Sequence, residues 1–525
     1  MRAYSANKMI APCRSQESLV AAMMESKFYP KPPDRVTHRE THISQLFFAG
    51  DLVYKIKKAV RYDFLDFSTL ARRRYYLQEE FRVNRRLAPS VYLGVMPIAF
   101  DGSAWRLGGW AEPAEYALVM RRLPEKRMLP FLLETKQVTA AMMRKLAELI
   151  AEFHRGAERI QDIEGEAYFS ALADQWNGNL EGLDVFVRDS ADREKLEAIR
   201  IFGARFLSDH RDLLARRVIE GWVRDVHGDL HAEHVCFAPE GIQIFDCIEF
   251  NPTLRRCDLA AEIAFLLMDL SVRGGETLKE PFLTRYRELM VDPEAPRLLP
   301  FFECYRALVR AKVHALRLGK WNDEAARYFR FAADSTWKPF KPFLVLVCGL
   351  TGSGKSILSR ELGERLKMPV INSDTVRKGM VGTVERRAAL FNQGIYSPAM
   401  SDRTYAKMAR EAEKQILIGR GAILDATFSR RNHREKISRL AAKHGVPIFW
   451  VRCFASEDVT YKRLAARAAE GKDASDGRWE VYVNQKSVYE PLDEISSISC
   501  LALDTNLPVT ELEQQVERFL RSRLN

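Results

Sequence analysis

The sequence predicts two structural classes in one chain: an α+β unit over residues 30–335 and an α/β unit, a parallel sheet wrapped by helices, over residues 343–525. Three observations carry this. Short runs that alternate apolar and polar residues fill 40–122, whereas long stretches with helical apolar spacing fill 136–335, so a strand-rich lobe precedes a helix-rich one. Two Lys-Pro steps in "STWKPFKPFLVLVCG", at Pro339 and Pro342, bias the residues before them away from helix and end the helical region. Directly afterwards the apolar run "LVLVC" enters the glycine-rich turn "GLTGSGKS" and then a helical pattern, the strand–turn–helix order of an α/β domain.

In chain order, residues 1–29 form an N-terminal extension with one short helix, "SLVAAMMESKF" at 18–28, stopped by "YPKPP". The small lobe, 30–122, reads as strands "SQLFFAG" and "DLVYKIKK", a basic helix "STLARRRYYLQEEFRVNRRLA", a strand "VYLGVMPIAF", a "DGSAW" turn and a strand "EYALVMRRL". The helical lobe, 123–335, includes "AAMMRKLAELIAEFHRGAERI" and the strongly apolar "CDLAAEIAFLLMDLSV". A linker spans 336–342. Beyond it, "MPVINSD", "GAILDAT" and the helical stretches between them continue the β-α alternation.

Composition excludes several classes. With 47% hydrophobic and 29% charged residues among 525, the chain is globular, and its longest apolar run, "IAFLLM" at 263–268, falls far short of the ~20 residues a bilayer span needs. No apolar core followed by small residues opens the sequence, so a cytoplasmic location is expected. The eight cysteines form no CxxC pair, which points to reduced thiols rather than disulfides or zinc. The net charge of +11 suits an anionic partner such as ATP, a phosphorylated substrate or nucleic acid. It is spread over runs such as "KIKKAVR", "LARRRYY" and "SRRNHREK", each equally readable as a solvated face.

The clearest chemistry lies in the second unit. Gly349, four residues, then Gly354-Lys355-Ser356 form a Walker A motif in its required context. Gly349, Thr351, Gly352, Ser353 and Gly354 supply backbone N–H groups for phosphates, Lys355 reaches the β and γ oxygens of ATP, and Ser356 offers a hydroxyl to Mg²⁺. Asp374 and Arg377 stand three apart at the start of a helix: the carboxylate can take the proton of an acceptor hydroxyl and the guanidinium can hold an anionic substrate group. A plain helix cap with a solvated arginine would give the same letters. Asp425, ending the strand "GAILDAT", is a further carboxylate for the Mg²⁺ site. Arg463 and Arg467, four apart before a polar loop, suit a lid over the phosphates or an ordinary solvated helix.

In the first unit, Lys55 in "VYKIKK" offers a cation to the phosphates of ATP, and Glu79 or Glu80 on the following helix can hold it forward. "VHGDLHAEHV" presents Asp229 as the acceptor of a hydroxyl proton, and seventeen residues later "IQIFDCIEF" delivers Asp246 to a turn, where a carboxylate can hold Mg²⁺.

These stretches identify resemblances. Through "HGDLH", the "FD" at 245–246, "VYKIKK" and "YALVMRRLPEKRML", residues 30–335 resemble the aminoglycoside phosphotransferase and choline kinase-like superfamily, and most closely the group fused to a P-loop kinase. That implies a bilobal protein-kinase-like fold with Asp229 as base and Asp246 as metal ligand. The likeness departs at two places. No glycine-rich loop precedes Lys55, so "THISQLFFAG" is expected to cover the nucleotide differently, and His234 stands where the resemblance expects a metal-binding Asn. Imidazole is a poor ligand for Mg²⁺, which leaves reduced activity, a changed metal preference or a lobe that only binds. Residues 343–525, through "GLTGSGKS", "SDTVR" and "LDATFSRRNHR", resemble the small P-loop kinases of the polynucleotide kinase, gluconate kinase and zeta-toxin group. Together they imply an ATP- and Mg²⁺-dependent phosphotransferase acting on a hydroxyl of a small molecule or nucleotide-type substrate; two successive phosphorylations of one small molecule, favoured by the tether, would explain the fusion. The alternatives are a single P-loop kinase with a substrate-presenting N-terminal module, and a nucleic-acid 5′-hydroxyl kinase; against the latter, the chain lacks a platform of interleaved aromatic and basic residues.

Overall fold

The computed structural model describes residues 16–62, 65–108, 112–337, 342–381, 397–470 and 479–524; of residues 467–470 and 381 only the backbone is described. The chain divides after Thr336 into two compact units.

The first unit opens with the helix Gln16–Met23 and a separate single turn Ser26–Phe28 rather than one helix over 18–28. The Tyr29 hydroxyl donates to the Met23 carbonyl at 2.6 Å, which satisfies the end of the helix and lets the chain turn. Leu19, Met23, Phe28 and Tyr29 pack against Phe47, Tyr54, Ile56 and Ile98 of the sheet. That sheet has six antiparallel strands in the order Val36–Glu40, Ser44–Ala49, Leu52–Lys57, Pro113–Arg121, Tyr92–Phe100, Trp105–Leu107. Lys55 lies at its centre, paired with Leu46 on one side and Leu118 on the other. The helix Leu70–Asn84, capped by Thr69 accepting from the Arg72 N–H, packs on this sheet.

The helical lobe is organised around Leu259–Val272, whose residues 259–270 are all buried. Helices Ala295–Leu318 and Asp323–Ser335 pack against it, giving one continuous core. A helix apolar all round must be buried all round, which is what the run "LAAEIAFLLMDL" dictates. Between the lobes, the strand Val223–Asp225 pairs with Arg256–Asp258, and the hairpin Val235–Ala238/Gly241–Ile244 separates the stretches holding Asp229 and Asp246.

The second unit is a five-stranded parallel sheet in the order Val370–Asn372, Ala422–Asp425, Leu344–Cys348, Ile448–Phe454, Cys500–Asp504. Leu344–Cys348 is buried at every position: Val345 and Val347 enter one core, Leu344, Leu346 and Cys348 the other. Continuous burial is what a central parallel strand covered on both faces requires. Seven free cysteines and no membrane-length apolar helix are found among the described residues.

Candidate active sites

In the first unit, Lys55 and Lys57 are two apart on one strand and therefore share a face. Both reach Glu80: Lys55 Nζ lies 2.6 Å from Oε1 and Lys57 Nζ 2.6 Å from Oε2, while Lys57 also pairs with Glu249. Glu79 instead pairs with Arg82 on the exposed side, so the choice the sequence left open falls to Glu80. Burial disfavours the Lys55 ammonium, but Glu80, Asp246 and Glu249 outweigh it and hold its pKa well above the ordinary lysine range.

The loop after Val223–Asp225 is held by side chains that fix its backbone. The buried Glu262 carboxyl accepts from the N–H groups of His227 at 2.8 Å and Gly228 at 3.1 Å. One helical heptad on, Asp269 accepts from the Ala232 N–H at 2.9 Å. His227 lies 2.9 Å through Nε2 from the Phe245 carbonyl, which can only accept, so Nε2 carries the proton and Nδ1 accepts the Asp229 N–H at 3.2 Å. Burial pushes the His227 pKa down to about 3, keeping the ring neutral in this double role. Burial alone would raise the Asp229 carboxyl; His231, His234 and Arg310 outweigh it and hold the group ionised, well below the usual range.

Asp246 has φ +64°, a left-handed conformation uncommon outside glycine. Its N–H donates to the Tyr92 hydroxyl at 3.2 Å and the next N–H, of Cys247, to Asn84 Oδ1 at 2.8 Å, which stabilises the turn. The carboxylate faces two ways, with Oδ1 3.5 Å from Lys55 Nζ and Oδ2 3.5 Å from His234 Nε2. Burial acts against ionisation, yet Lys55 and His234 bring its pKa down to about 2. The structure thus gathers Lys55, Glu80, Asp229, His234 and Asp246 into one site.

In the second unit, the phosphate loop follows Leu344–Cys348 and ends at the helix Lys355–Leu366. Gly349, Gly352 and Gly354 have φ of +141°, +78° and +81°, and a Cβ at Gly349 would lie 2.3 Å from the Cys453 carbonyl oxygen. Lys355 Nζ donates to the Leu350 carbonyl at 3.1 Å, and the Thr351 N–H donates to Gln485 Oε1 at 2.9 Å. Ser356 is exposed at the helix start, and Ser353 Oγ is buried with no hydrogen-bond partner.

Because the strands are parallel, Asn372 and Asp425 end side by side at the same sheet edge as the phosphate loop, with Asp425 paired to Val347. Asn372 Nδ2 donates to Asp425 Oδ2 at 2.7 Å, and Asn372 Oδ1 accepts the Asp374 N–H at 3.0 Å. Asp374 in turn pairs with Arg377. The other oxygen of Asp425 is buried without a partner. Arg463, on the helix Glu457–Glu470, donates to the Thr505 hydroxyl at 3.0 Å and carbonyl at 2.6 Å, beside Gly354. Gly354, Arg463 and Thr505 line a cleft with Ile357, Leu507 and Val509. The side chain of Arg467 lies outside the described residues.

With this geometry in place, comparison with known proteins decides the family. Residues 64–301 match the phosphotransferase enzyme family and residues 344–492 an AAA domain family. Uncharacterized proteins of Mycobacterium tuberculosis (H37Rv) and Mycobacterium bovis are each 33% identical over 443 residues, covering 83% of this chain and 87% of theirs. The chain belongs to their family. It joins an N-terminal phosphotransferase-type domain to a C-terminal P-loop kinase domain, and ATP binding follows from the latter. Similar solved structures include a sugar kinase from Janibacter sp. HTCC2649 (16% identity, TM-score 0.27, 34% of this chain and 94% of that one). A gluconokinase from Sinorhizobium meliloti 1021 gives 17%, 0.25, 34% and 93%, and the APS kinase of M. tuberculosis in complex with AMPPNP and APS gives 19%, 0.26, 34% and 98%.

For this phosphotransferase–P-loop fusion, sequence reasoning missed Lys57, Glu249, Glu262, Asp269, Asn372 and Gln485. Lys57 was visible as the second same-face lysine of "VYKIKK", and Glu262 and Asp269 as two carboxylates inside an otherwise apolar helix. A charge in such a run is buried and must be paired, so it marks a role. Asn372 and Gln485 left no comparable signal, since each acts through a contact set by the fold.

Proposed function

We propose that the C-terminal domain transfers the γ-phosphoryl group of ATP to a hydroxyl of a small molecule, and that the N-terminal domain is a second ATP-dependent phosphotransfer site. The observation that carries the first statement is the hydrogen-bonded chain Asp425–Asn372–Asp374 beside the phosphate loop. Through the backbone N–H of Asp374 it fixes the start of that helix beside a buried carboxylate at the phosphate end of the sheet, which puts one acid near the phosphates and a second where an acceptor hydroxyl would lie.

The loop amides and Lys355 bind the β and γ phosphates, with Lys355 released from the Leu350 carbonyl and the Thr351 N–H from Gln485. Asp374 accepts the hydroxyl proton as the acceptor oxygen bonds to the γ-phosphorus and the bond to the ADP oxygen breaks, so ADP leaves as the anion. Arg377 orients Asp374 and meets an anionic group of the acceptor, while Arg463 screens the charge on the phosphates. The partnerless Asp425 oxygen and the exposed Ser356 hydroxyl fit a hard cation, so these two would hold Mg²⁺. Bound there, the ion would supply charge neutralisation to the phosphates. In the N-terminal domain Lys55, held by Glu80, meets the phosphates of ATP, and Asp229 accepts the acceptor proton.

The test uses the full chain with labelled ATP and a panel of sugars, sugar acids and a 5′-hydroxyl oligonucleotide. Asp374→Asn should keep nucleotide affinity at the P-loop and lose at least ~100-fold of transfer. Transfer that persists in Asp374→Asn while vanishing in Lys355→Ala would overturn the assignment of the base. Label appearing on the oligonucleotide alone would move the acceptor to nucleic acid.

A further inference from the structure

The donor set of the N-terminal site does not match Mg²⁺. We infer that this site takes a divalent transition ion of the Co²⁺–Zn²⁺ class, bound between His234 Nε2 and Asp246 Oδ2. The inference deepens the reading of this domain as a phosphotransfer site and rests on that reading for its meaning, though not for its test.

Three observations carry it. First, the imidazole is locked in the tautomer a metal needs. His234 Nδ1 lies 2.9 Å from the Asp229 carbonyl oxygen, which only accepts, so Nδ1 holds a proton and Nε2 is the nitrogen that presents a lone pair in the neutral ring, the form a metal binds. A ligating histidine whose other nitrogen donates to a backbone carbonyl is how proteins orient such a ring. Second, that lone pair faces Asp246 Oδ2 at 3.5 Å, too far for a hydrogen bond. Two ligand atoms about 2.1 Å from one ion stand about 3.4 Å apart at a tetrahedral angle and about 3.0 Å apart at the right angle of an octahedron. The observed spacing fits the first. Third, neighbouring groups are committed elsewhere. Asp229, His231 and His234 lie close enough to share an ion, but His231 Nε2 is 3.2 Å from the Arg310 guanidinium, a group that only donates, so its lone pair is used. Asp246 Oδ1 faces Lys55, which leaves Oδ2 for the ion. The half-exposed Asp246 side chain lets an ion enter and leaves further positions for water or phosphate oxygens.

The ligand chemistry agrees: an imidazole suits zinc, cobalt and similar ions, whereas Mg²⁺ keeps to oxygen donors in near-ideal octahedra. The P-loop site, with Ser356 and Asp425 as its oxygen donors, has no such histidine among the residues described there. One chain would then carry two phosphotransfer sites with different metal requirements.

The experiment titrates Co²⁺ into the full-length chain, free of any polyhistidine tag, chelator-treated, with no nucleotide or acceptor, and follows visible absorption. Loss of turnover for any other reason therefore has no bearing on the result. Wild type should bind one Co²⁺ per chain with the intense bands of low coordination, displaced by Zn²⁺ and not by a hundredfold excess of Mg²⁺. His234→Asn should weaken Co²⁺ binding about 10–100-fold and let Mg²⁺ compete. Asp246→Asn, which keeps the imidazole, should weaken it as well, and His38→Asn, at an exposed strand position, should not. Thermal melts confirm that each variant is folded. Wild type that binds no Co²⁺, Mg²⁺ that displaces Co²⁺ at comparable concentration, or a folded His234→Asn that binds like wild type overturns the inference.

Discussion

Glu80 gives the sharpest handle on the N-terminal site. Its carboxylate is fully buried and serves two ammonium groups, Lys57 with no side-chain exposure and Lys55 with 13%. Glu80→Gln removes one negative charge without changing shape, leaving Lys57 against Glu249 alone and Lys55 against Asp246 at 3.5 Å. Breaking one partner of a buried ion pair costs about 3–5 kcal/mol. At roughly 2 °C per kcal/mol for a domain of this size, the melting temperature should fall by about 6–10 °C. Glu79→Gln is the control, since Glu79 pairs with Arg82 on the exposed side, a contact worth about 0.5 kcal/mol or less. The effect has a pH signature. Burial would raise the Glu80 carboxyl, but Lys55 and Lys57 outweigh it and depress its pKa below the ordinary 4.5. Its contribution is therefore present above pH 4.5 and lost as pH falls through the depressed value, so the gap between Glu80→Gln and wild type should narrow in acid. Differential scanning calorimetry of the full chain at neutral pH and near pH 4 reads both. A Glu80→Gln midpoint within 1 °C of wild type, or an equal loss in Glu79→Gln, would refute the clamp.

Glu262, pushed up to about 7 chiefly by burial, has the opposite sign: its contribution is full below about pH 4.5 and is lost as pH rises through 7, on the order of 3 kcal/mol. His154 and His227, both pushed down to about 3 by burial, act the other way below pH 6.5, so the measurement is the stability of Glu262→Gln minus wild type, which should grow between pH 5 and 7.5. Gly349→Ala places a methyl 2.3 Å from the Cys453 carbonyl oxygen, and should abolish nucleotide binding at the P-loop as read by calorimetric titration with an ATP analogue. Gln485→Ala removes the side chain that occupies the Thr351 N–H, and should tighten nucleotide binding several-fold; weaker binding would assign Gln485 to the nucleotide rather than to its competitor.

Much of this was legible in the letters because the physics is local. A glycine-rich turn between a buried strand and a helix has one common use, and the Lys-Pro steps mark the end of a helix by steric rules that need no tertiary context. Asp229 and Asp246 were legible as a pair because a hairpin separates them, and the hairpin brings their turns together. The choice between Glu79 and Glu80 was not legible, since adjacent helical residues differ by only 100° and the sheet decides which one faces inward. Asn372 was hidden for a related reason: its importance comes from the parallel register that ends Val370–Asn372 beside Asp425. His234 was visible as a departure, but its tautomer depends on the Asp229 carbonyl, and that is a property of the folded loop.

The central claim, two nucleotide sites of different design in one chain, is tested most directly by counting them. Equilibrium dialysis of the full chain with a non-hydrolysable ATP analogue should give two sites per chain, with Lys355→Ala leaving one and Lys55→Ala/Lys355→Ala leaving none. A single site in wild type, lost completely in Lys355→Ala, would contradict the account and make the P-loop domain the sole seat of phosphate transfer.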